Sequence, residues 1–317
     1  MNLLYFLVQQ MMLFSIPLLI VALGGMFCER SGVINIALEG IMVIGGFTGI
    51  LFINLFQGVM PGQPVLIIAI LISMVTGIII SLVHAYASVN MKANQSISGT
   101  AINMFAPAFA IFVARVIRNV QQIPFDNQFR IAKVPVLGDI PIIGGLFFQN
   151  AYITTYLGIA ILIISSIVLY KTRFGLRLRS CGEHPQAAAS VGISVYKMRY
   201  MGVIISGALA GIGGLVYVIP TSTSFNASVS GYGFLALAVL IFGQWKPKKI
   251  LMAAFFFGAM KTISSAYSGI PILADLGIPS SVYKMIPYLA TLIVLALNTK
   301  GSQAPLASGV PYDKGAR

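Results

Sequence analysis

Long apolar runs broken by short polar punctuation dominate this chain. No Lys, Arg, Asp or Glu falls within residues 1–28, 40–91, 200–245 or 285–299, and His84 is the only histidine inside those stretches. A helix needs about 20 apolar residues to cross a hydrocarbon core of about 30 Å. The pattern predicts about nine such helices (8–10), over 3–28, 36–56, 65–89, 96–114, 152–170, 199–219, 231–244, 250–268 and 282–298. The second follows Ser31-Gly32 and the seventh is short and glycine-flanked, so both are expected to be broken or re-entrant. With no basic leader ahead of Leu3, the first run is expected to be a retained span.

Composition agrees with the pattern. Of 317 residues, 58% are hydrophobic and 9% charged, against roughly 25% charged in soluble chains. The fold class expected is therefore an all-α integral membrane protein. Residues 1–300 form the transmembrane domain, and 301–317, with two prolines, three glycines and mixed charge, are expected to be a disordered tail.

The net charge of +13 suggests an acidic ligand only until it is counted loop by loop. The segment 171–199 carries six basic residues. If it is cytoplasmic, alternation adds eight more on that side: Arg30, Lys92, Lys246, Lys248, Lys249, Lys300, Lys314 and Arg317. Arg115, Arg118, Arg130 and Lys133 fall on the other side, while Lys261 and Lys284 lie in or at the edge of spans. Basic residues accumulate in cytoplasmic loops, so the N-terminus is expected outside and the C-terminus inside. Cys28 and Cys181 give neither a disulfide framework nor a metal quartet.

Several polar clusters interrupt the apolar background. Glu29 to Gly40 brings two carboxylates and Asn35 to a span boundary, where Glu39 is expected to accept amide hydrogen bonds from a broken helix or to pair with Arg30. Lys92 to Asn103 is polar for a segment entering a bilayer. Asn103 lies deepest and either reads a polar substrate or ties helices together. Lys261 sits mid-span near Ser264 and Ser265, and such a charge needs water, an acid or a carbonyl. Gly207, Gly211 and Gly214 allow close helix approach. In the 171–199 segment, Pro185 suits a helix start and Gly192 a helix end, with small alanines between. The external insertion 115–150 has turn-forming Pro124, Pro135, Pro141 and Gly144-Gly145, and reads as a folded cap, either a plain surface loop or a gate or docking surface. Ser31-Gly32 with Ala37-Leu38 recurs as Ser230-Gly231 with Ala236-Leu237, a constant offset of 199 consistent with an inverted repeat. Gly231-x-Gly233-x-x-Ala236 lacks the strand and acid of a dinucleotide site, and no nucleotide-hydrolysis, HExxH or GxSxG motif is present.

Five runs carry a family resemblance: Glu29 to Met42, Lys92 to Asn103, Cys181 to Gly192, Ser206 to Gly214, and Gly231 to Gly243 with Trp245 and Pro247. Together they resemble the permease subunits of bacterial nucleoside ABC importers, within the wider group of ribose-type and branched-chain amino acid permeases. The resemblance implies a multi-pass protein of the bacterial cell (inner) membrane that is not itself an enzyme and holds no cofactor. ATP and Mg would be bound by a partner ATPase. It also implies a second, non-identical permease, a tandem ATP-binding subunit and an extracellular substrate-binding lipoprotein, with no nucleic acid partner. Glu183, His184, Pro185, Ala187, Ala188 and Gly192 would form the coupling helix seated in the ATPase, with Ala188 on the facing surface. Asn35, Glu39, Asn103, Phe105, Phe234 and Lys261 are the path candidates, with Phe105 or Phe234 stacking a base. A ribose-like sugar importer and an ion-coupled secondary transporter are the rival readings.

Overall fold

A computed structural model describes residues 2–270, 278–297 and 303–315. The apolar runs fold as helices α1 (Asn2–Arg30), α2 (Leu38–Phe56), α3 (Gln63–Ala85), α4 (Gln95–Arg118) and α5 (Ile153–Lys171). After the polar helices α6 (Arg173–Glu183) and α7 (Pro185–Ser190) come α8 (Val195–Thr221), α9 (Tyr232–Phe242), α10 (Pro247–Ala266) and α11 (Ser280–Leu297). Each expected span has a helical counterpart, and seven of these helices are long and apolar enough to cross a membrane. The seventh expected span is α9, whose 11 residues reach roughly 16 Å at 1.5 Å per residue, about half a hydrocarbon core.

Burial separates the helices by role. The most apolar windows of α1 and α8 are 83% buried, against 22% for α4 and 28% for α5. Helices α1, α2 and α8 thus form the centre, with α3, α4 and α5 presenting broad apolar faces outward. The small residues of α8 make this possible: Gly211 lies against Ser73 and Gly77 of α3, and Gly214 against the Met42 backbone of α2. A side chain at Gly214 would overlap the Met42 carbonyl, so the close approach needs glycine.

The second span is not broken within its helix. Instead residues 31–37 run non-helically from the end of α1, and α2 begins only at Leu38. Likewise residues 222–231 are non-helical before α9 begins. Gly32 and Gly231, the paired glycines of the internal echo, both adopt the left-handed backbone, φ 94° and 77°, which glycine enters without steric cost.

The 115–150 insertion is folded. Strands β2 (Arg130–Lys133) and β3 (Gln149–Tyr152) pair antiparallel, and β1 (Ile123–Pro124) pairs with β4 (Ser224–Phe225) at the head of the segment leading to α9. Asn127 Nδ2 donates to the Ile219 carbonyl at 2.7 Å, tying the insertion to the end of α8.

The tail departs from expectation. Residues 303–315 pack against the bundle end carrying Arg30, Lys92 and Arg199, with Ala307 and Tyr312 buried. The Ala307 amide donates to Gly182 O at 2.8 Å and the Gly309 amide to Gly32 O at 3.2 Å. Arg199 Nη1 donates to Val310 O at 2.9 Å, and Tyr312 meets Tyr196 edge-on at 5.6 Å. The turn-rich composition that suggested disorder instead presents backbone groups to acceptors and donors on the bundle. Lys300 and Arg317, used in the charge count, lie outside the described residues.

Candidate functional site

Two helix starts meet in the middle of the bundle, and the chemistry of the site follows from how each is satisfied. The segment 31–37 climbs beside α8: Asn35 Nδ2 donates to Ser206 Oγ at 2.9 Å, and further on Gly45 of α2 backs onto Gly211. Residues 206–211 lie near the midpoint of α8, which places the start of α2 at mid-bundle. Irregular backbone at that depth persists only where its polar groups find partners.

Those partners come from two other helices, α3 and α4. Gln95 Oε1 accepts from the Ile34 amide at 2.7 Å. His84 Nε2 donates to the Ile34 carbonyl at 2.9 Å, which leaves Nδ1 to accept from Ser98 Oγ at 3.0 Å. Asn103 spans the start of α2, accepting from the Gly40 amide at 2.7 Å and donating to the Ile36 carbonyl at 2.9 Å. Both polar atoms of the Asn103 side chain are thus engaged in tying α4 to the start of α2. Asn35 is fully buried, and both its polar atoms are spent on Ser206 and the Ala37 amide.

The neighbouring residue serves the other helix start. Glu39 Oε1 accepts from the Gly231 amide at 2.9 Å and Oε2 from the Gly233 amide at 2.6 Å. A carboxylate on exposed amides at the positive end of α9 is the favourable arrangement for a helix N-terminus. Gly233 lies so close to the Glu39 backbone that a Cβ there would collide with it. Arg30, the alternative partner for Glu39, instead pairs with Glu183 at 3.4 Å.

Aromatic rings flank this junction. Tyr217 and Tyr232 approach to 4.1 Å between centroids. Tyr232 is 1% exposed and its hydroxyl has no hydrogen-bond partner among the described residues. Phe234, next to the Glu39-bound Gly233, and Phe105, next to Asn103 through one residue, are both about half exposed, at 51% and 54%. Lys261 lines a separate cavity between α10 and α11.

At the basic end a second cluster forms. Trp245 Nε1 donates to the buried Glu29 at 2.6 Å, and Arg30 reaches both Glu183 and the Trp245 carbonyl, the latter at 3.3 Å. The turn 243–246 thereby locks onto the end of α1 and, through Glu183, onto α6. Helix α7 begins at Pro185 as the sequence suggested, and Gly192 adopts φ 82° just beyond it. The orientation of α7 corrects one expectation. Ala188 and Pro185 face inward and are buried, while His184, Gln186, Ala187 and Ser190 are exposed and Val191 is 74% exposed.

The family model described as branched-chain amino acid transport system / permease component matches residues 7–295. The chain belongs to this permease family. The guanosine ABC transporter permease protein NupQ of Bacillus subtilis is 46% identical to it over 308 residues, covering 96% of each chain. The nucleoside ABC transporter permease protein NupC of Lactococcus lactis is 41% identical over 314 residues, covering 99% of this chain and 98% of the relative. A second permease of that organism, the nucleoside ABC transporter permease protein NupB, is 24% identical over 310 residues, covering 94% of this chain and 83% of the relative. No solved structure matches. As an ABC transporter permease with seven membrane-length helices, the protein is a multi-pass component of the cell membrane.

Among the path candidates the permease brings Glu39, Asn103, Phe105 and Phe234 around the α2 and α9 starts, while Asn35 is sealed in packing and Lys261 stands apart on α10. Sequence reasoning missed His84, Gln95, Tyr217 and Tyr232. The tyrosines and His84 sit in largely apolar runs that give no local sign of a site. No cluster of His, Cys, Asp and Glu among the described residues is suited to holding a metal.

Proposed function

We propose that this chain is one of two permease subunits of an ATP-driven importer of nucleosides, supplying half of the path and no catalysis. The observation that carries the reading is the family membership, with two nucleoside or guanosine permeases at 41–46% identity over nearly the full length. That both NupB and NupC of one organism match supports pairing with a second, non-identical permease.

In this reading the N-terminus is outside, and the end bearing α6, α7 and the tail is cytoplasmic. The exposed face of α7, with His184, Ala187 and Val191, docks into a separate ATP-binding subunit that holds ATP and Mg. Glu183 carries that contact inward through Arg30 to the end of α1 and the 243–246 turn. The α9 start, held by Glu39, then moves with α1 and α2 as the path switches between outward and inward access, a rigid-body exchange between two packed states. The 115–150 insertion lies where an extracellular binding protein would deliver nucleoside.

Affinity purification of the tagged permease from native membranes tests the assembly. It should recover an ATP-binding subunit and a second permease in fixed stoichiometry. Recovery of a stable assembly of this chain alone, free of any ATP-binding protein, would overturn the proposal.

A further inference from the structure

The end of α9 and the first half of α10 enclose a groove of about 410 Å³, lined by Phe242, Lys249, Met252, Ala253 and Phe256. That volume lies in the range of about 300–1,000 Å³ typical of small-molecule sites. Lys249, Met252, Ala253 and Phe256 follow the helical repeat, so they form one face of α10. Ala253 is the small buried floor, and Met252 and Phe256 rise beside it at 72% and 39% exposed. Phe242 closes the other wall, held edge-on against Phe257 at 5.2 Å. The walls stand this close because Gly243 lies against the Ile250 backbone, where a Cβ would collide.

Position along the span decides what reaches the groove. Helix α10 is one of the seven membrane-length helices and starts at Pro247, at the basic end of the bundle. Lys249 therefore lies in the first turn, at the depth of lipid headgroups, and Phe256 lies about 10 Å further in, seven residues on at 1.5 Å each. The groove thus runs from the headgroup layer into the hydrocarbon, and the exposed Met252 opens it on the flank of the span.

Charge is confined to one end of it. Lys246, Lys248 and Lys249 cluster at the start of α10, and among the described residues no acid pairs with any of them. The first turn of α10 carries no acidic residue either, and cations gathered at the positive end of a helix are unfavourable without an anion nearby. Lys249 Nζ donates to Gln244 Oε1, which leaves two of its three donors for another acceptor. The rest of the lining is apolar. An occupant must therefore combine an anionic head carrying acceptor oxygens with an apolar tail, and an acidic lipid of the bilayer brings both on one molecule at the matching depth.

We propose that this groove is a binding site for an anionic phospholipid, with its phosphate on Lys249 and one acyl chain between Phe242, Met252 and Phe256. Basic clusters beside a membrane span attract anionic lipid in general; the groove gives that attraction a fixed seat. The bound lipid braces the α9–α10 hairpin, whose turn carries Trp245 and so holds Glu29 and Arg30 at the end of α1. The inference rests on α10 as a membrane span and not on the substrate carried.

The test uses the protein purified from membranes with its partners and placed in phosphatidylcholine nanodiscs. These are doped with a phosphatidylglycerol whose acyl chain carries a photoreactive diazirine, and crosslinks are mapped by peptide mass spectrometry. Label should collect on residues 249–256 and be displaced by unlabelled phosphatidylglycerol but not by added phosphatidylcholine. Lys249→Gln should lower it about fivefold, the weight of one lysine near an anionic surface, and Lys249→Arg should keep it within about twofold. Met252→Trp, which fills the groove and leaves the charge in place, should lower it several-fold. Lys197→Gln removes an exposed lysine elsewhere at the basic end and should leave the labelling unchanged. All three positions are exposed, so the variants keep the packed core intact. Equal labelling by a phosphatidylcholine analogue, or an equal fall in Lys197→Gln and Lys249→Gln, would reveal general surface attraction alone and overturn the site. Absence of label on 249–256 in the wild type would mean that protein covers the groove, and overturns it as well.

Discussion

Glu39 and Asn103 each do at one residue what a helix start otherwise cannot do in a low-dielectric interior. Replacing Glu39 with Leu leaves the Gly231 and Gly233 amides without acceptors. An unmet buried group costs about 1–3 kcal/mol, so thermal unfolding of the purified complex should show a loss on the order of 2–4 kcal/mol. Glu39→Gln keeps one carbonyl oxygen and should lose about half as much. Asn103→Leu strips the Gly40 amide and the Ile36 carbonyl together. It should cost about 1–3 kcal/mol, and Asn103→Asp, which retains the acceptor, should cost less. A stability unchanged by Asn103→Leu would return that residue to the ligand-reading role.

Both residues stood out in the sequence as polar groups in an apolar setting, and the broken-helix partner foreseen for Glu39 is the one found. What local sequence could not reveal is which backbone groups they serve. The acceptor of Gly233 lies 194 positions away, and the 31–37 segment is satisfied by His84, Gln95 and Asn103 from α3 and α4. Such long-range satisfaction has no periodic signature.

Among elements, α7 and the tail were read from composition, with opposite outcomes. Proline and glycine bounded α7 correctly, but a six-residue alanine-rich helix carries too little amphipathic pattern to say which face is buried. Ala187→Arg, on the exposed face, should therefore impair assembly with the ATP-binding subunit while leaving the permease folded. Ala188→Arg, by contrast, should destabilise the permease itself; equal folding of the two variants, judged by thermal unfolding, would contradict the assigned orientation. The tail's glycines and prolines read as disorder, yet its amides meet Gly182 and Gly32, and Leu306 N donates to Glu183 at 3.3 Å. It thus clasps the end of α6 to the segment leading into α2. Burial pushes the Cys181 thiol up from its ordinary range, so at neutral pH it should resist maleimide. Truncation after residue 302 uncovers Gly182 and should raise Cys181 labelling several-fold. The Gly315 amide, followed by Lys92, holds the Asp313 carboxyl below its usual range. The contribution of this contact is therefore present above the ordinary carboxylate pKa and is lost only as pH falls through the depressed value, leaving the clasp intact at neutral pH.

The long apolar runs that fixed the helix pattern also describe the whole molecule. Its centre is α1, α2 and α8, closed by glycine contacts, and its remaining charge is gathered at loops, at the basic end and in the α10–α11 groove. Through Arg30, which meets Glu183 and the Trp245 carbonyl, the fold joins the α6–α7 end to the end of α1 and the turn after α9. The most direct test is labelled nucleoside uptake into proteoliposomes holding the permease pair, the ATP-binding subunit and the binding protein. Uptake should require enclosed ATP on the nucleotide-binding side and be indifferent to collapse of proton and sodium gradients. Uptake that continues without ATP and stops when an ion gradient is dissipated would contradict the account.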